Sequence, residues 1–390
     1  MLFQHNIIFG FLNLKVLTKA MKARFRRAFF IMKNVIGVKK MKKDSKRNYG
    51  IDLLRIMSML GVVILHNLYQ GGILPQLKTS SPNWWQFWLL ENLSIVAVNV
   101  FAMITGYVSM MHRFKSDRVL QVVFQTVFWS ATVAVVLYQI GLPISVETVK
   151  ASFYPVAKFW YVNAYIGLFL LSPVLEFGVK HLTRRTFRRL LIVMLIVSAG
   201  LDAGGNFFLL NGYSTYWLVV MYLVGAYVQL YPEAINWKPI AFLSIYFVMA
   251  CLSTYLQWNA QWFHTNKWWF IRYTSPFVIV EAIAVFIWGV RLKISSRLVK
   301  ALLKFFAPIS FGVYLIDESN FYDVLLPKMF TGMIREQPNF FALRILGISL
   351  LMYLAFAMFD FVRLLIFKLF HVNQALKLVD HSGKWLIDKL

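Results

Sequence analysis

Asp52, Arg55 and His66 are the only charged or imidazole side chains in the apolar run from Tyr49 to Tyr69, and each needs a reason to be there. A histidine, with an ordinary pKa of about 6.5, can take a proton from an attacking hydroxyl or be acylated itself. A guanidinium forks onto phosphate or carboxylate oxygens. A helix turns about 100° per residue, so the step from Arg55 to His66 returns both side chains to one face, roughly 16 Å apart along the axis. Asp52 falls one turn below Arg55 on nearly the same stripe, where it can fix the guanidinium. An arginine in hydrocarbon costs at least ~2.5–3.5 kcal/mol, so the stripe is expected to face a polar interior. Taken singly, Arg55 could snorkel to the headgroups and His66 could be a packing residue; together on one stripe they argue for chemistry.

Such a stripe needs a bundle of spanning helices around it. Of 390 residues, 59% are hydrophobic and only 15% charged, which predicts an all-α polytopic membrane protein rather than a soluble globule. A net charge of +25 would suggest nucleic acid in a soluble protein, but here the basic residues sit in short runs between apolar segments, so no nucleic-acid partner is expected. The single cysteine, Cys251, excludes an intrachain disulfide and a cysteine-based metal site. About ten transmembrane helices are expected, near 51–69, 84–111, 119–141, 156–178, 188–201, 214–231, 239–256, 275–290, 305–317 and 341–367. They form one transmembrane domain, 49–370, followed by a tail, 371–390. Before it lies a basic arm, 1–48, with thirteen Lys or Arg and one acid, Asp44, expected to lie against the cytoplasmic membrane surface. Met41 is an alternative start within that arm.

Charge sets the orientation. With the arm in the cytoplasm, the inner connections, counted through Arg189, carry fourteen Lys or Arg and the longer outer ones only six. Both termini are then cytoplasmic, and the cell membrane is the expected location. The outer connection from Gln257 to Phe270 holds four Trp and two Phe, read first as an interfacial belt and second as a stacking platform for sugar rings.

Further along the chain, Asn99-Val-Phe-Ala-Met-Ile-Thr105-Gly-Tyr107 places small residues on a spanning helix, where packing is a plain role. Trp160-Tyr161 and Tyr165 lead to Leu171-Ser-Pro, and His181-Leu-Thr-Arg184-Arg185-Thr-Phe-Arg188-Arg189 forms a dense cationic turn. Topology explains that turn; phosphate binding is the functional alternative. Glu281 lies in an apolar segment and needs a polar interior or a proton-sharing partner. Ser310-Phe-Gly-Val-Tyr314-Leu-Ile-Asp317-Glu318 closes the ninth segment.

Arg55 and His66 with their spacing, the segment ending Thr105-Gly-Tyr107, the Trp-Tyr and Leu-Ser-Pro arrangement and the Tyr314-Leu-Ile segment resemble the acyltransferase-3 family of integral membrane acyltransferases, in its Gram-positive-like branch. Thr105 stands where serine is usual. Asp317 stands where the family usually has histidine, which puts in doubt any role there that needs an imidazole. The resemblance implies transfer of an acyl group, most often acetyl from acetyl-CoA, to a hydroxyl of an extracytoplasmic cell-envelope glycan or similar acceptor. It makes His66, Arg55 and Asp52 the expected catalytic group, with His66 open as base or acyl carrier. Acyl-CoA is expected at Arg113, Arg118, Arg184, Arg185, Arg188 and Arg189, and Thr105, Tyr161, Glu281, Tyr314 and Asp317 are further pocket candidates. Acyl-CoA, a sugar-containing acceptor and membrane lipid are the partners; no cofactor or metal is called for beyond the donor. The competing reading is a transporter or flippase that uses the intramembrane Arg, His and Glu as a substrate or proton path.

Overall fold

A computed structural model describes residues 47–112, 114–155, 158–203, 209–334 and 340–387. The basic arm up to residue 46, and Arg113, lie outside the described residues.

Among the described residues every regular element is a helix. The long ones are α1 (Tyr49–Tyr69), α2 (Trp84–Ile95), α3 (Ala97–Ser109), α4 (Asp117–Gln139), α5 (Trp160–His181), α6 (Arg184–Ala203), α7 (Thr215–Leu230), α8 (Pro239–Trp258) and α9 (Pro276–Arg291). They are followed by α10 (Arg297–Phe306), α11 (Ser310–Ile316), α12 (Phe341–Leu369) and α13 (Val372–Ile387). Their starts follow local rules. The Asn48 side chain accepts from the Gly50 N–H at 2.9 Å to cap α1, Ser214 caps α7 through the Trp217 N–H, and Pro239 and Pro276 occupy first-turn positions where their missing N–H costs nothing.

Among the described residues seven helical segments are long and apolar enough to cross a bilayer, and eight if α10 and the stretch Ser310–Val324, bent by 42°, count as one span. The expected segments 188–201 and 214–231 are also helical, as α6 and α7. The first opens with Arg184, Arg185, Arg188 and Arg189, and the second has only 16 residues. The ninth expected segment is where the reading and the fold differ most. Instead of one straight span, α11 runs into a π-helical turn, Asp317–Phe321, in which Ser319 leaves helical geometry at φ −71°, ψ −162°.

The centre of the bundle is α1, α2, α3, α7 and α9, whose side chains are mostly enclosed. Helices α4, α5, α8 and α12 turn large apolar side chains outward, among them Val174, Phe177, Val248 and Leu351, as a lipid-facing ring would. Small residues let the central helices touch backbone to backbone. A Cβ added to Gly106 of α3 would sit 1.9 Å from the Tyr222 carbonyl oxygen of α7, and one added to Gly225 would sit 1.9 Å from the Met103 carbonyl oxygen. Buried polar side chains then fix the register. Asn99 accepts from the Trp217 indole at 2.8 Å and donates to the Tyr273 carbonyl at 2.9 Å, and Asn67 of α1 donates to Ser349 of α12 at 2.8 Å.

Candidate active site

The polar stripe of α1 faces a cavity of about 810 Å³ lined on that helix by Arg55, Met59, Val62, Leu65, His66 and Tyr69. The fourteen steps of 1.5 Å from Arg55 to Tyr69 make the cavity roughly 21 Å long beside this helix. Ala307, Ser310, Phe311, Tyr314, Glu318 and Tyr322 line it at one-turn intervals from the bent segment, and α3 contributes Val98, Phe101, Thr105, Val108 and Ser109. The expectation that this stripe looks into an interior is met.

His66 is held from both sides. Its Nδ1 lies 2.7 Å from Asp317 Oδ2 and its Nε2 lies 3.2 Å from Glu318 Oε2. The two carboxyls reach the ring at its two nitrogens, Asp317 from the residue that caps α11 and Glu318 from the next position, within the π-helical turn. Tyr322 packs edge-on against the imidazole with ring centroids 4.8 Å apart. Asp317 is fully buried, whereas Glu318 faces the cavity. When Nδ1 donates to Asp317, Nε2 is the nitrogen that can take a proton from a reactant that displaces Glu318, which is the arrangement a general base needs. Asp317 therefore does not replace the family's histidine as a second imidazole; it puts its carboxylate on the first one.

At the other end, Arg55 Nη1 is 3.3 Å from Asp52 Oδ1, as the stripe predicts. Arg118, on the first turn of α4, lines the same end, and the fields of both guanidinium groups reach Tyr165. Thr105 lines the wall with its hydroxyl donating to the Phe101 carbonyl at 2.9 Å. Tyr161 and Tyr314 both line the cavity and pack edge-to-face on each other, ring centroids 5.9 Å apart. This end collects guanidinium groups and hydroxyls, a surface suited to phosphate.

Two groups of expected residues are elsewhere. Arg184, Arg185, Arg188 and Arg189 do not line the cavity. Phe187 and Leu191, one turn apart, bury one face of α6 and so turn the arginines outward. Arg184 pairs with Glu233 at 3.3 Å and lies over the Tyr231 ring. Glu281 is buried in α9 and does not line the cavity either; it is within electrostatic reach of Tyr246 of α8, and neither carboxyl oxygen finds a hydrogen bond among the described residues. The outer aromatic connection divides: Trp262 is exposed, while Trp268 lines the cavity.

The structure also brings in residues that sequence reasoning passed over. Glu91 of α2 is buried, lines the cavity and acts electrostatically on His66. Asn211, Tyr213, Arg272 and Tyr273 close the His66 end, with Arg272 donating to the Asp202 carbonyl at 3.0 Å. A lone acid in the apolar run Trp84–Ser109 was the available signal for Glu91, of the same kind that singled out Asp52.

Over residues 48–360 the chain matches a family model described as an acyltransferase domain. No curated protein and no solved structure matches it. A match over most of the chain, in an all-helical bundle with seven or eight helices able to span a bilayer, makes this chain a member of the acyltransferase-3 family of membrane acyltransferases.

Proposed function

We infer that the protein moves an acetyl group from acetyl-CoA to a hydroxyl of a cell-envelope glycan or similar acceptor, with donor and acceptor entering the cavity from opposite ends. The observation that carries this reading is the polarity of the cavity, with Arg55 and Arg118 at one end and the carboxyl-bracketed His66 at the other. The positive-inside bias puts the arginine end, and both termini, on the cytoplasmic side of the cell membrane. Acyl-CoA is cytosolic and carries phosphates, so its nucleotide end belongs with the guanidinium groups. Its extended pantetheine arm reaches along α1, past Thr105, Tyr161 and Tyr314, and brings the thioester toward His66.

There the acceptor hydroxyl displaces Glu318 from Nε2 and gives its proton to the imidazole as its oxygen attacks the thioester carbonyl. The C–O bond forms, the C–S bond breaks, and the departing thiolate takes the proton back from Nε2. Asp317 stabilises the imidazolium between these two transfers, as an orienting carboxylate does for a catalytic histidine. Asp52 holds Arg55 in place for the donor.

The test is acyl turnover by purified protein with acetyl-CoA labelled in the acetyl group. Acceptor-dependent release of CoA, or slow hydrolysis of acetyl-CoA without acceptor, is the expected result. Protein that neither consumes nor exchanges the label, yet moves a solute across vesicles, sinks the reading in favour of transport. Mass spectrometry of envelope glycans with and without the gene then identifies the acceptor by the ester it loses.

A further inference from the structure

Three carboxyl groups, Asp317, Glu318 and Glu91, act on a single imidazole at the His66 end of the cavity. The cations nearby are committed to other partners. Arg272 holds Asp202, Lys158 pairs with Asp323, and Lys267 lies over the rings of Trp88 and Trp268.

Glu91 is the member of this set that acts on the imidazole through its field alone. It is 4% exposed, it lines the cavity, and its Oε2 accepts no hydrogen bond among the described residues. A buried carboxyl oxygen left this way is costly unless a ligand completes it. Around it the cavity wall is built of rings. Tyr213, which like Tyr273 lies within the field of Glu91, packs against Trp160 and Tyr273 at centroid distances of 4.4 and 5.0 Å. Aromatic faces beside a carboxylate are the chemistry that binds an ammonium group, since the ring quadrupole and the acid both favour positive charge.

We propose that the His66 end of the cavity takes an acceptor carrying a protonated amine near the hydroxyl to be acylated, with Glu91 and the surrounding rings as the amine site. This rests on the reading of the His66 end as the acceptor side and specifies the acceptor within it. The amine is bound and the hydroxyl reacts. The cavity then sorts its two substrates by charge: phosphates are drawn to the arginines and repelled by the acids, and the amine is drawn the other way.

Equilibrium binding of labelled glucosamine and glucose to the full-length protein in detergent, without acyl-CoA, tests this directly. The two sugars differ by an amine in place of one hydroxyl. Glucosamine is expected to bind at least tenfold more tightly than glucose, the loss associated with one charge-assisted contact. Glu91→Gln keeps size and a carbonyl acceptor but removes the charge, so it should bring glucosamine down to the level of glucose and leave glucose within about threefold. Equal binding of the two sugars, no saturable glucosamine binding, or an unchanged preference in Glu91→Gln overturns the proposal. The wild-type comparison decides even where the variant fails to fold. Because no donor is present, a failure of acyl turnover and a failure of amine recognition are separate results.

Discussion

At one end of the cavity Arg55 keeps 32% of its side chain exposed beside Asp52, and Arg118 stands at an exposed position on the first turn of α4. At the other, His66 is wedged between Asp317, which is 0% exposed, and Glu318. Exposed charges are cheap to hold and their individual contacts are weak, because water already solvates them. A buried charge survives only with its partner in place, and removing that partner leaves it uncompensated. The arginine end should therefore behave as a graded, replaceable binding surface, and the histidine end as a unit that fails when any part is changed.

The largest expected effect is at the histidine end. His66→Ala should lower acyl transfer by about 10²–10⁴-fold while protein amount and membrane insertion stay near normal, since removing a polar group from a spanning helix does not oppose insertion. Near-full envelope acetylation by this variant would remove the chemistry from this end and the comparison with it. Asp317→Asn should follow, lowering kcat roughly ten- to hundredfold with the donor KM nearly unchanged, because the imidazolium loses one charge-assisted partner. A rise in donor KM with intact kcat would move Asp317 from orienting the histidine to binding the donor.

At the arginine end the effects should be smaller and should fall on binding. Arg118→Gln should raise the KM for acetyl-CoA about tenfold with little change in kcat, the signature of binding lost equally in ground and transition states. A kcat loss instead would mean that the guanidinium touches the reacting end of the donor. Smallest of all, changing Arg184, Arg185, Arg188 and Arg189 together to Gln should alter donor KM by less than about threefold, because those side chains stand on the outward face of α6. A tenfold rise in correctly inserted protein would extend the donor surface beyond the cavity.

The stripe of α1 was legible in the sequence because charged side chains in an apolar run stand out and helical period alone puts them on one face. The ten apolar segments were legible because long hydrophobic runs stand out, and each falls on helix among the described residues; seven or eight helices are long and apolar enough to span, and 305–317 is broken between α10 and α11. Period says nothing about partners from distant parts of the chain. Asp317 and Glu318 lie 251 and 252 positions after His66, and the π-helical turn that carries them has no sequence rule as simple as a heptad. Density misled in the other direction. Four arginines in six positions look more like a phosphate site than the single Arg118, yet which face of α6 is buried was decided by Phe187 and Leu191.

The contact between α3 and α7 at Gly106 and Gly225 carries a mechanical consequence for the cavity. Neither glycine lines the cavity, but one methyl group on either would meet the facing backbone and have to push α3 away from α7. Thr105, Val108 and Ser109 ride on α3, so the push would narrow the passage beside Arg55. The calibre of the channel is thus gauged by two residues on its far side, in the way that a shim behind a wall sets the width of a corridor.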